Sequence, residues 1–319
     1  MTPELSRRLG EALGTRYVLL DEQKAVRDAA ATAESWEDLP RDIQALVEEI
    51  EARPDPWESL TPSNRVSAFV PRLANEVDLA EVQRAFELRL DDLLQEWVTI
   101  TAKQRAEILD QVRLAVTSDD LAALASIHVS TSEAAQALTE AMSGMALEAA
   151  RGMSREAGAQ GVRIDPVASD TSLFASIAAA TAVLLAQGLT NTAGRQALRQ
   201  WSVSTSGDDV VGAVREHLES LSDAFVADNL GGALTSAQNA GRLATALAGP
   251  VASLYASEHN DARVCQPCAA VDGKWLGNTD DPDTPARVAE VYPNGGYRFC
   301  EGGVRCRGTI VARYRPETV

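Results

Sequence analysis

Four cysteines near the C-terminus are the residues of this 319-residue sequence whose type and spacing could do chemistry. Cys265 and Cys268 form a Cys-x-x-Cys pair, and Cys300 and Cys306 form a second pair with five residues between them. Two such pairs can supply the four thiolates of a tetrahedral Zn²⁺ site, with each sulfur about 2.3 Å from the ion. The same cysteines could instead pair as disulfides or stay free thiols, and their spacing leaves all three alternatives open.

The second pair is wider than is usual for zinc ligands, which commonly have two to four residues between them. Gly302 and Gly303 lie inside it, and the conformational freedom of glycine would let the chain curl back toward the first pair. If zinc is bound, its role is structural, because four thiolates fill the coordination shell and leave no position for water or substrate. Such binding can contribute on the order of 10 kcal/mol to the folding of a small, loop-rich unit.

A turn signal follows the first cysteine pair. Asp272 and Gly273 are a favoured tight-turn pair, which predicts a short hairpin between residues 269–271 and 274–276. Trp275 would lie on the second strand of this hairpin. We therefore expect Asp272, Gly273 and Trp275 to shape the structure around the cysteines.

A final strand is predicted directly after Arg307 and Gly308. Over residues 309–314 the sequence places Ile, Ala and Tyr on one face and Thr, Val and Arg on the other, as in a half-exposed strand. With the hairpin and the cysteine loops, this strand would complete a small α+β unit.

The chain before this unit has the composition of a helical protein. Aromatic residues make up only 5% of the sequence and hydrophobic residues 45%, with abundant alanine, which favours tightly packed helices over a β-sandwich. Apolar residues recur at helical spacing over 79–90 and 108–116. The fold class predicted is therefore mainly α, a multi-helix body with a small cysteine-bearing α+β C-terminal domain.

Breaks in the helical pattern predict three segments. Pro54 and Pro56 cannot lie inside a helix and indicate an elbow near the end of a charged helical segment over residues 1–62. A helical body follows over 63–226, and the C-terminal domain occupies 227–319. Within that domain we expect a helix that is interrupted at Gly231-Gly232 and stopped by Gly249-Pro250.

The N-terminus and the longest apolar run bear on where the chain resides. The first ten residues lack the apolar region of a secretory signal, so we expect folding in a reducing cytoplasm. The run from Leu173 to Ala186 is shorter than the roughly 20 apolar residues that span a bilayer. A buried helix, and no membrane partner, is the prediction.

Three stretches together resemble a known family. They are Ala237-Gln-Asn-Ala-Gly-Arg242, Asp261-Ala-Arg-Val-Cys-Gln-Pro-Cys-Ala-Ala-Val-Asp-Gly-Lys274 and Tyr292-Pro-Asn-Gly-Gly-Tyr-Arg-Phe-Cys-Glu-Gly-Gly-Val-Arg-Cys-Arg-Gly308. This combination, within residues 227–313, is similar to the C-terminal domain of the phage Mu head-morphogenesis (MuF-like) minor capsid family, in the variant common in phages of actinobacteria. Many members carry a His-Pro where this chain has Tyr292-Pro293. A metal site here would therefore be all-cysteine or would recruit His259.

The resemblance implies a minor structural protein of the virion, present in few copies and associated with the portal on the inner side of the head. Assembly would take place in the host cytoplasm. The implied role is in head assembly and DNA packaging or ejection, with the portal as main partner and the major capsid and scaffold proteins as further partners.

Charge limits the contact with DNA that such a protein could make. The 46 acidic against 29 basic residues give a formal net charge of −17, which repels a phosphate backbone. A local cluster of arginines near the C-terminus could touch DNA phosphates weakly or an acidic patch on the portal, or could be a solvated rim around the strands: Arg298, Arg305, Arg307, Arg313 and Arg315.

Two enzymatic alternatives can be stated, and we assign no catalytic residue. A capsid maturation protease would need a histidine base beside a serine, and His128 has Ser126 and Ser130 as its near neighbours in sequence, without a Gly-x-Ser-x-Gly elbow. A zinc-supported nuclease could use His259, between Glu258 and Asn260, but one histidine is too few for such a site. A structural protein is the prediction, with protease as the alternative.

Overall fold

The structure of the chain is a computed structural model. It describes Val26, Ala29, Ala33 and residues 35–52, 79–204, 206–221, 223–258, 264–293 and 295–314. By its contacts the chain forms two compact units, Met1–Arg72 and Leu73–Val319. The predicted boundaries after residues 62 and 226 stay predictions.

In the first unit, a 3₁₀ turn at Trp36–Asp38 precedes helix α1, Arg41–Ala52. Ser35 begins the turn, because its backbone N–H and its hydroxyl both donate to the Asp38 carboxylate, at 2.8 and 2.9 Å. The Gln44 amide donates back to the Trp36 carbonyl at 2.7 Å and fixes the turn against the helix. The described residues of this unit include a small apolar core: Val26, Ala33, Leu39 and Val47.

The second unit begins with a helical body. Its helices are α2 (Leu79–Thr117), α3 (Leu121–Leu124), α4 (Ser132–Ala159), α5 (Thr171–Trp201), α6 (Gly207–Glu219) and α7 (Ala224–Ala248). The predicted mainly α fold with a small cysteine-bearing C-terminal sheet is confirmed. Helix α7 ends where Gly249-Pro250 predicted its end.

Two apolar cores lie along α2, which at 39 residues is about 58 Å long. The first core joins α2 to α4, α5 and α7 and contains Leu93, Trp97, Leu138, Met142 and Phe174. The second core joins the C-terminal half of α2 to α3, the end of α5, and α6, and contains Ile108, Val112, Leu124, Val214 and Leu218. Alanines fill much of both cores, which is why the helices approach closely despite the low aromatic content.

Helix α5 is buried on one face only. Phe174, Ala178 and Ala182 pack into the first core, whereas Val183 and Leu184 are 41% and 47% exposed. Among the described residues, α5 alone is long and apolar enough to span a bilayer, with a mean hydropathy of 1.7 over 18 residues, of which 28% are buried. Core helices of soluble proteins meet the same test. The inner face of α5 is therefore buried, as predicted. Its outer face is apolar but exposed, which the prediction of a buried helix did not include.

The expected interruption at Gly231-Gly232 is wrong, because α7 runs unbroken through it. Glycine inside a helix costs about 1 kcal/mol relative to alanine, and packing offsets this cost here. A Cβ at Gly231 would lie in ordinary contact with Phe86, 3.8 Å away. The chain breaks instead between α6 and α7, where Asp223 begins the second helix.

A three-stranded antiparallel sheet and two short helices make up the C-terminal module. The strands are β1 (Ala252–Ser257), β2 (Trp275–Asn278) and β3 (Thr309–Tyr314), in the order β2-β1-β3; the helices are α8 (Gln266–Val271) and α9 (Thr284–Val291), with a 3₁₀ turn at Gly303–Arg305. One apolar core lies beneath the sheet and takes in Met153 and Ala157 of α4 and Ala246 of α7. The module is therefore built onto the helical body through shared core residues.

The predicted hairpin at Asp272-Gly273 is wrong. Residues 269–271 belong to α8, and β2 pairs with β1 instead. The turn itself is present: Gly273 has φ +75°, and its N–H donates to the Ala256 carbonyl at 2.8 Å. A distant strand supplies the hydrogen-bond partners that a local hairpin would have supplied, and this decides the pairing.

The final strand is present, but the expectation that it is half-exposed is wrong, since only Arg313 of its six residues is exposed. Side chains from the helices cover its outer edge. Asn239 Oδ1 accepts from the Ile310 N–H at 3.0 Å, and the Arg242 Nε–H donates to the Ile310 carbonyl at 2.5 Å. The Gln160 amide donates to the Ala312 carbonyl at 3.0 Å. Strand edges left unpaired invite association, and here the helical body satisfies this edge.

Candidate metal centre

Short elements of the module position the four cysteines. Cys265 is the N-cap of α8 and Cys268 lies in its first turn, because Pro267 starts the helix between them. Cys300 and Cys306 stand on either side of the 3₁₀ turn, whose N-cap is Gly302. The local structure of each pair is therefore a tight turn that points two sulfurs to one side.

The two pairs come together in space. The Cys265 and Cys300 sulfurs are 3.8 Å apart, and so are those of Cys268 and Cys306. In a tetrahedral site with sulfurs about 2.3 Å from the ion, neighbouring sulfurs lie about 3.8 Å apart. A disulfide would require about 2.05 Å, and all four cysteines are free thiols here. The cluster could hold a metal ion.

The buried pair, Cys268 and Cys306, shares a proton. A hydrogen bond with Cys268 lowers the pKa of the Cys306 thiol to about 6, helped by the backbone N–H groups of Gly308 and Tyr297. The Tyr297 N–H is 3.1 Å from the sulfur. The same sulfur–sulfur hydrogen bond, together with burial, raises the pKa of Cys268. Cys306 is thus a ready thiolate, the form that binds metal.

The half-buried pair behaves similarly. Burial opposes ionisation of Cys265, but the backbone N–H groups of Cys268 and Glu301 outweigh it and hold its pKa below the ordinary value. Burial raises the pKa of Cys300 to about 12, and the charge of Cys306 adds to this. Each pair therefore combines one thiol that ionises easily with one that does not.

A fifth donor, Glu258, lies against the buried pair. It was not among the residues predicted for the site. Glu258 directly follows β1 and is 3% exposed, and a carboxylate oxygen lies within 4.8 Å of the Cys268 and Cys306 sulfurs. The Tyr292 hydroxyl donates to Glu258 Oε1 at 3.1 Å. Burial, as the larger cause, and the charge of Cys306 together raise the pKa of Glu258 to about 8.

The sequence did carry a signal for Glu258. Ala252, Leu254 and Ala256 are the buried positions of β1, and the same period of two brings the next buried position to Glu258. A carboxylate at the buried phase of a strand, shortly before a Cys-x-x-Cys pair, is the pattern that would have identified it.

Gly308 leaves the space that Glu258 occupies. A Cβ at this position would be 2.3 Å from Glu258 Oε1 and 2.8 Å from the Tyr292 ring, closer than atoms can approach. Arg307 and Gly308 directly precede the final strand, as predicted, since β3 begins at Thr309. The absence of a side chain at Gly308 additionally makes room for the buried acid.

Helix α7 holds the cysteine loop from the other side. The Asn239 amide donates to the carbonyls of Gly295 and Gly308 at 2.6 and 3.0 Å. The Thr235 hydroxyl lies 3.4 Å from the Cys306 carbonyl. Because these groups are buried, their hydrogen bonds fix the loop that presents Cys306 to the cluster.

One turn further along α7, Arg242 is fully buried against a carboxylate of α4. Its guanidinium makes a bidentate ion pair with Glu156, at 2.9 and 2.5 Å. Arg242 belongs to the first stretch of the family resemblance, whereas Glu156 lies outside all three stretches. The two residues are 86 positions apart in sequence, and their pairing joins α4 to α7. Because Arg242 also donates to the Ile310 carbonyl, β3 is joined to both helices.

A cavity of about 610 Å³ opens beside the cluster. The four cysteines, Glu258, and Phe86 and Leu90 of α2 are among the residues that line it. Cys265 and Cys300, which are half-buried, face this space. The cluster therefore borders a cavity from which its half-buried cysteines can be reached.

The C-terminal arginines are largely engaged within the chain. Arg298 is 3.2 Å from the Glu290 carboxylate and lies over the Phe299 ring, and Arg305 is 3.8 Å from Asp228. Arg307 lines the cavity and Arg313 is exposed, while Arg315 is outside the described residues. Weak contact with DNA stays a prediction.

The histidines named for the enzymatic alternatives are differently placed. His128 Nδ1 lies 3.3 Å from the Ser126 backbone carbonyl, and the Ser126 hydroxyl donates to the carbonyls of Ala122 and Ala123. The Ser130 hydroxyl pairs with that of Ser132 at 3.1 Å. His259, the ligand and nuclease residue considered above, lies with residues 260–263 outside the described part of the chain.

What the cluster can do chemically follows from its donor atoms. Four thiols and one carboxyl can ligate a divalent ion, and soft thiolates select metals such as zinc. The sequence matches no protein-family model and no curated protein, and the structure matches no solved structure.

Proposed function

We propose that this chain is a structural protein of a tailed-phage head, associated with the portal on the inner side of the capsid. It acts in head assembly and in DNA packaging or ejection, with the major capsid and scaffold proteins as further partners. Its C-terminal module is held by a structural zinc ion. The proposal rests on the resemblance of residues 237–242, 261–274 and 292–308 to the MuF-like family and on the geometry around the cysteines.

The observation that carries the proposal is a buried contact between separate stretches of the resemblance. Asn239, from the first stretch, bonds the Gly295 and Gly308 carbonyls of the last stretch, and Arg242 bonds the strand that follows it. Satisfied polar networks in a core specify one arrangement of the elements around them. A chance likeness spread over three stretches would not be expected to bring its polar residues into one network.

Zinc is the metal that the donor set favours. Two thiol pairs with sulfurs 3.8 Å apart match the edge of a zinc–sulfur tetrahedron. The module is small, and zinc would join α8 to the loop that contains Cys300 and Cys306. A closed site of this kind stabilises the fold, and its four ligands leave no position at which a substrate could bind the metal.

The metal part of the proposal is tested by elemental analysis and thiol titration of the purified chain. We expect one zinc per chain and thiols that titrate only after a chelator is added. Cys268→Ser should lose the zinc and lower the midpoint of thermal unfolding of the module, because it removes one of the two buried ligands. Four freely titrating thiols in a metal-free chain of unchanged stability would contradict this part.

The head-protein part is tested in the phage that encodes the chain. Mass spectrometry of purified virions should find the chain at a small fraction of the copy number of the major capsid protein. Purified chain should also co-sediment with the portal ring encoded beside it. Absence from virions, together with a normal yield of infectious particles from a null mutant, would contradict the proposal.

A further inference from the structure

Glu258 and Cys306 occupy the same side of the cluster. Two sets of three donors, in each of which all ligand atoms lie within 4.8 Å of one another, share Cys268. One set is Cys265, Cys268 and Cys300; the other is Glu258, Cys268 and Cys306. The first set offers three corners of a tetrahedron, and the second offers two candidates for the remaining corner.

We propose that Glu258 and Cys306 are alternative fourth ligands, either of which completes the metal shell begun by Cys265, Cys268 and Cys300. This inference rests on the proposed metal centre. Oxygen ligands from glutamate lie about 2.0–2.2 Å from zinc and thiolate sulfurs about 2.3 Å, so the ion moves little between the two shells. The result is a centre that keeps its ion when Cys306 is lost or oxidised.

The surroundings of Glu258 hold it for this role. Its backbone N–H donates to Asp272 Oδ1 at 2.8 Å, which anchors it at the end of β1. The Tyr292 hydroxyl binds Oε1, and the missing side chain of Gly308 keeps the space in front of the carboxylate free. The donors to this buried carboxyl are a neutral hydroxyl and the Cys268 thiol, so its ionised form is costly unless a cation compensates it.

Charge permits either ligand but disfavours both at once. Three thiolates and one carboxylate around a divalent ion carry the same net charge as four thiolates. All five donors ionised around one ion would add a further negative charge inside the protein, and burial penalises this. Occupation of the fourth corner by one group therefore leaves the other as a neutral or hydrogen-bonded neighbour.

The test is a double-mutant comparison of zinc affinity in the full chain, using Cys306→Ala, Glu258→Gln and both together. Glu258→Gln alone should change affinity less than 3-fold, because Cys306 still completes the shell. Cys306→Ala should keep one zinc per chain, with X-ray absorption showing an oxygen in place of a sulfur. The double variant should bind at least 10-fold more weakly than Cys306→Ala. Glu301→Gln, which removes an exposed carboxylate beside Cys300, is the matched control and should have no effect in either background.

The experiment distinguishes a failure of the alternative-ligand role from a failure of the proposed metal centre. A wild-type chain that binds no metal overturns the metal centre itself. A wild-type chain that binds zinc, with equal effects of Glu258→Gln in both backgrounds, overturns only the alternative-ligand role and leaves Glu258 a packing residue. Cys306→Ser, which keeps an acceptor for the Tyr297 N–H, serves as a second background. If neither Cys306 variant folds with saturating zinc, Glu258 does not complete the shell.

Discussion

At the scale of single residues, the cluster brings together titratable groups whose pKa values are shifted in opposite directions by hydrogen bonds and burial. The pKa of Cys306 is lowered while those of Cys268, Cys300 and Glu258 are raised. Without a metal ion, such a cluster holds protons on Cys268 and Cys300 at neutral pH. Binding of a metal must displace these protons, so metal affinity and pH are linked.

The raised pKa of Glu258 predicts the pH dependence of the metal-free chain. The folded state binds this proton up to about pH 8, whereas an ordinary carboxyl with a pKa of 4.5 releases it in the unfolded chain. Between these values the folded state holds more protons, so its free energy of unfolding falls as pH rises, by on the order of 5 kcal/mol. Urea unfolding in the presence of chelator at a series of pH values measures this.

Glu258→Gln is the control for that prediction, since it removes the titration and keeps the shape. The lowered pKa of Cys306 acts with the opposite sign above about pH 6, so the difference between wild type and variant is the informative quantity. A difference that stays constant from pH 4.5 to 8 would show that the carboxyl titrates normally.

At the scale of elements, helix α7 joins the helical body to the module. Its inner face contributes Leu230 and Leu234 to the core shared with α2, α4 and α5. The same helix turns Asn239 and Arg242 toward β3. Polar side chains at these positions replace the partner strand that β3 lacks on its outer edge, and so they decide where the sheet docks.

The buried ion pair between Arg242 and Glu156 provides the element-scale prediction. Arg242→Met should lower the free energy of unfolding by about 3–5 kcal/mol, because it leaves a buried carboxylate without its partner. Combined with Glu156→Leu the loss should be smaller than for Arg242→Met alone, since no isolated charge remains. Denaturant unfolding of the wild type, Arg242→Met and the double variant measures both effects.

An exposed ion pair in the same unit is the matched control. Arg113 and Asp110 are 2.7 Å apart, but their side chains are 55% and 75% exposed. Arg113→Met should cost no more than about 1 kcal/mol, because solvent screens the pair. Equal costs for Arg113→Met and Arg242→Met would mean that burial does not set the strength of the Arg242 pair.

At the scale of the whole molecule, charge and apolar surface are distributed unevenly. From Glu258 to Val319 there are nine acidic and eight basic residues, so nearly all of the net charge of −17 belongs to the preceding chain. An acidic helical body would not adhere to packed DNA, which suits the proposed place inside a phage head. The outer face of α5, where Leu173, Val183 and Leu184 are exposed, is an apolar surface of that body.

The sequence alone determined the features that depend on neighbours along the chain. The helical period predicted α2, Gly249-Pro250 predicted the end of α7, and the Cys-x-x-Cys spacing predicted that Cys265 and Cys268 point to one side. Composition predicted the mainly α fold. These features follow from local backbone preferences, which a short stretch of residues carries by itself.

Only the tertiary structure decided the features that depend on contacts between distant residues. β2 pairs with β1 rather than with its neighbour in sequence, α7 runs through two glycines, and β3 is covered by helix side chains. Glu258 meets Cys306, 48 positions later, only because β1 and β3 are adjacent. Such contacts depend on which surfaces bury each other and on which buried polar groups find partners, and the folded chain settles both together.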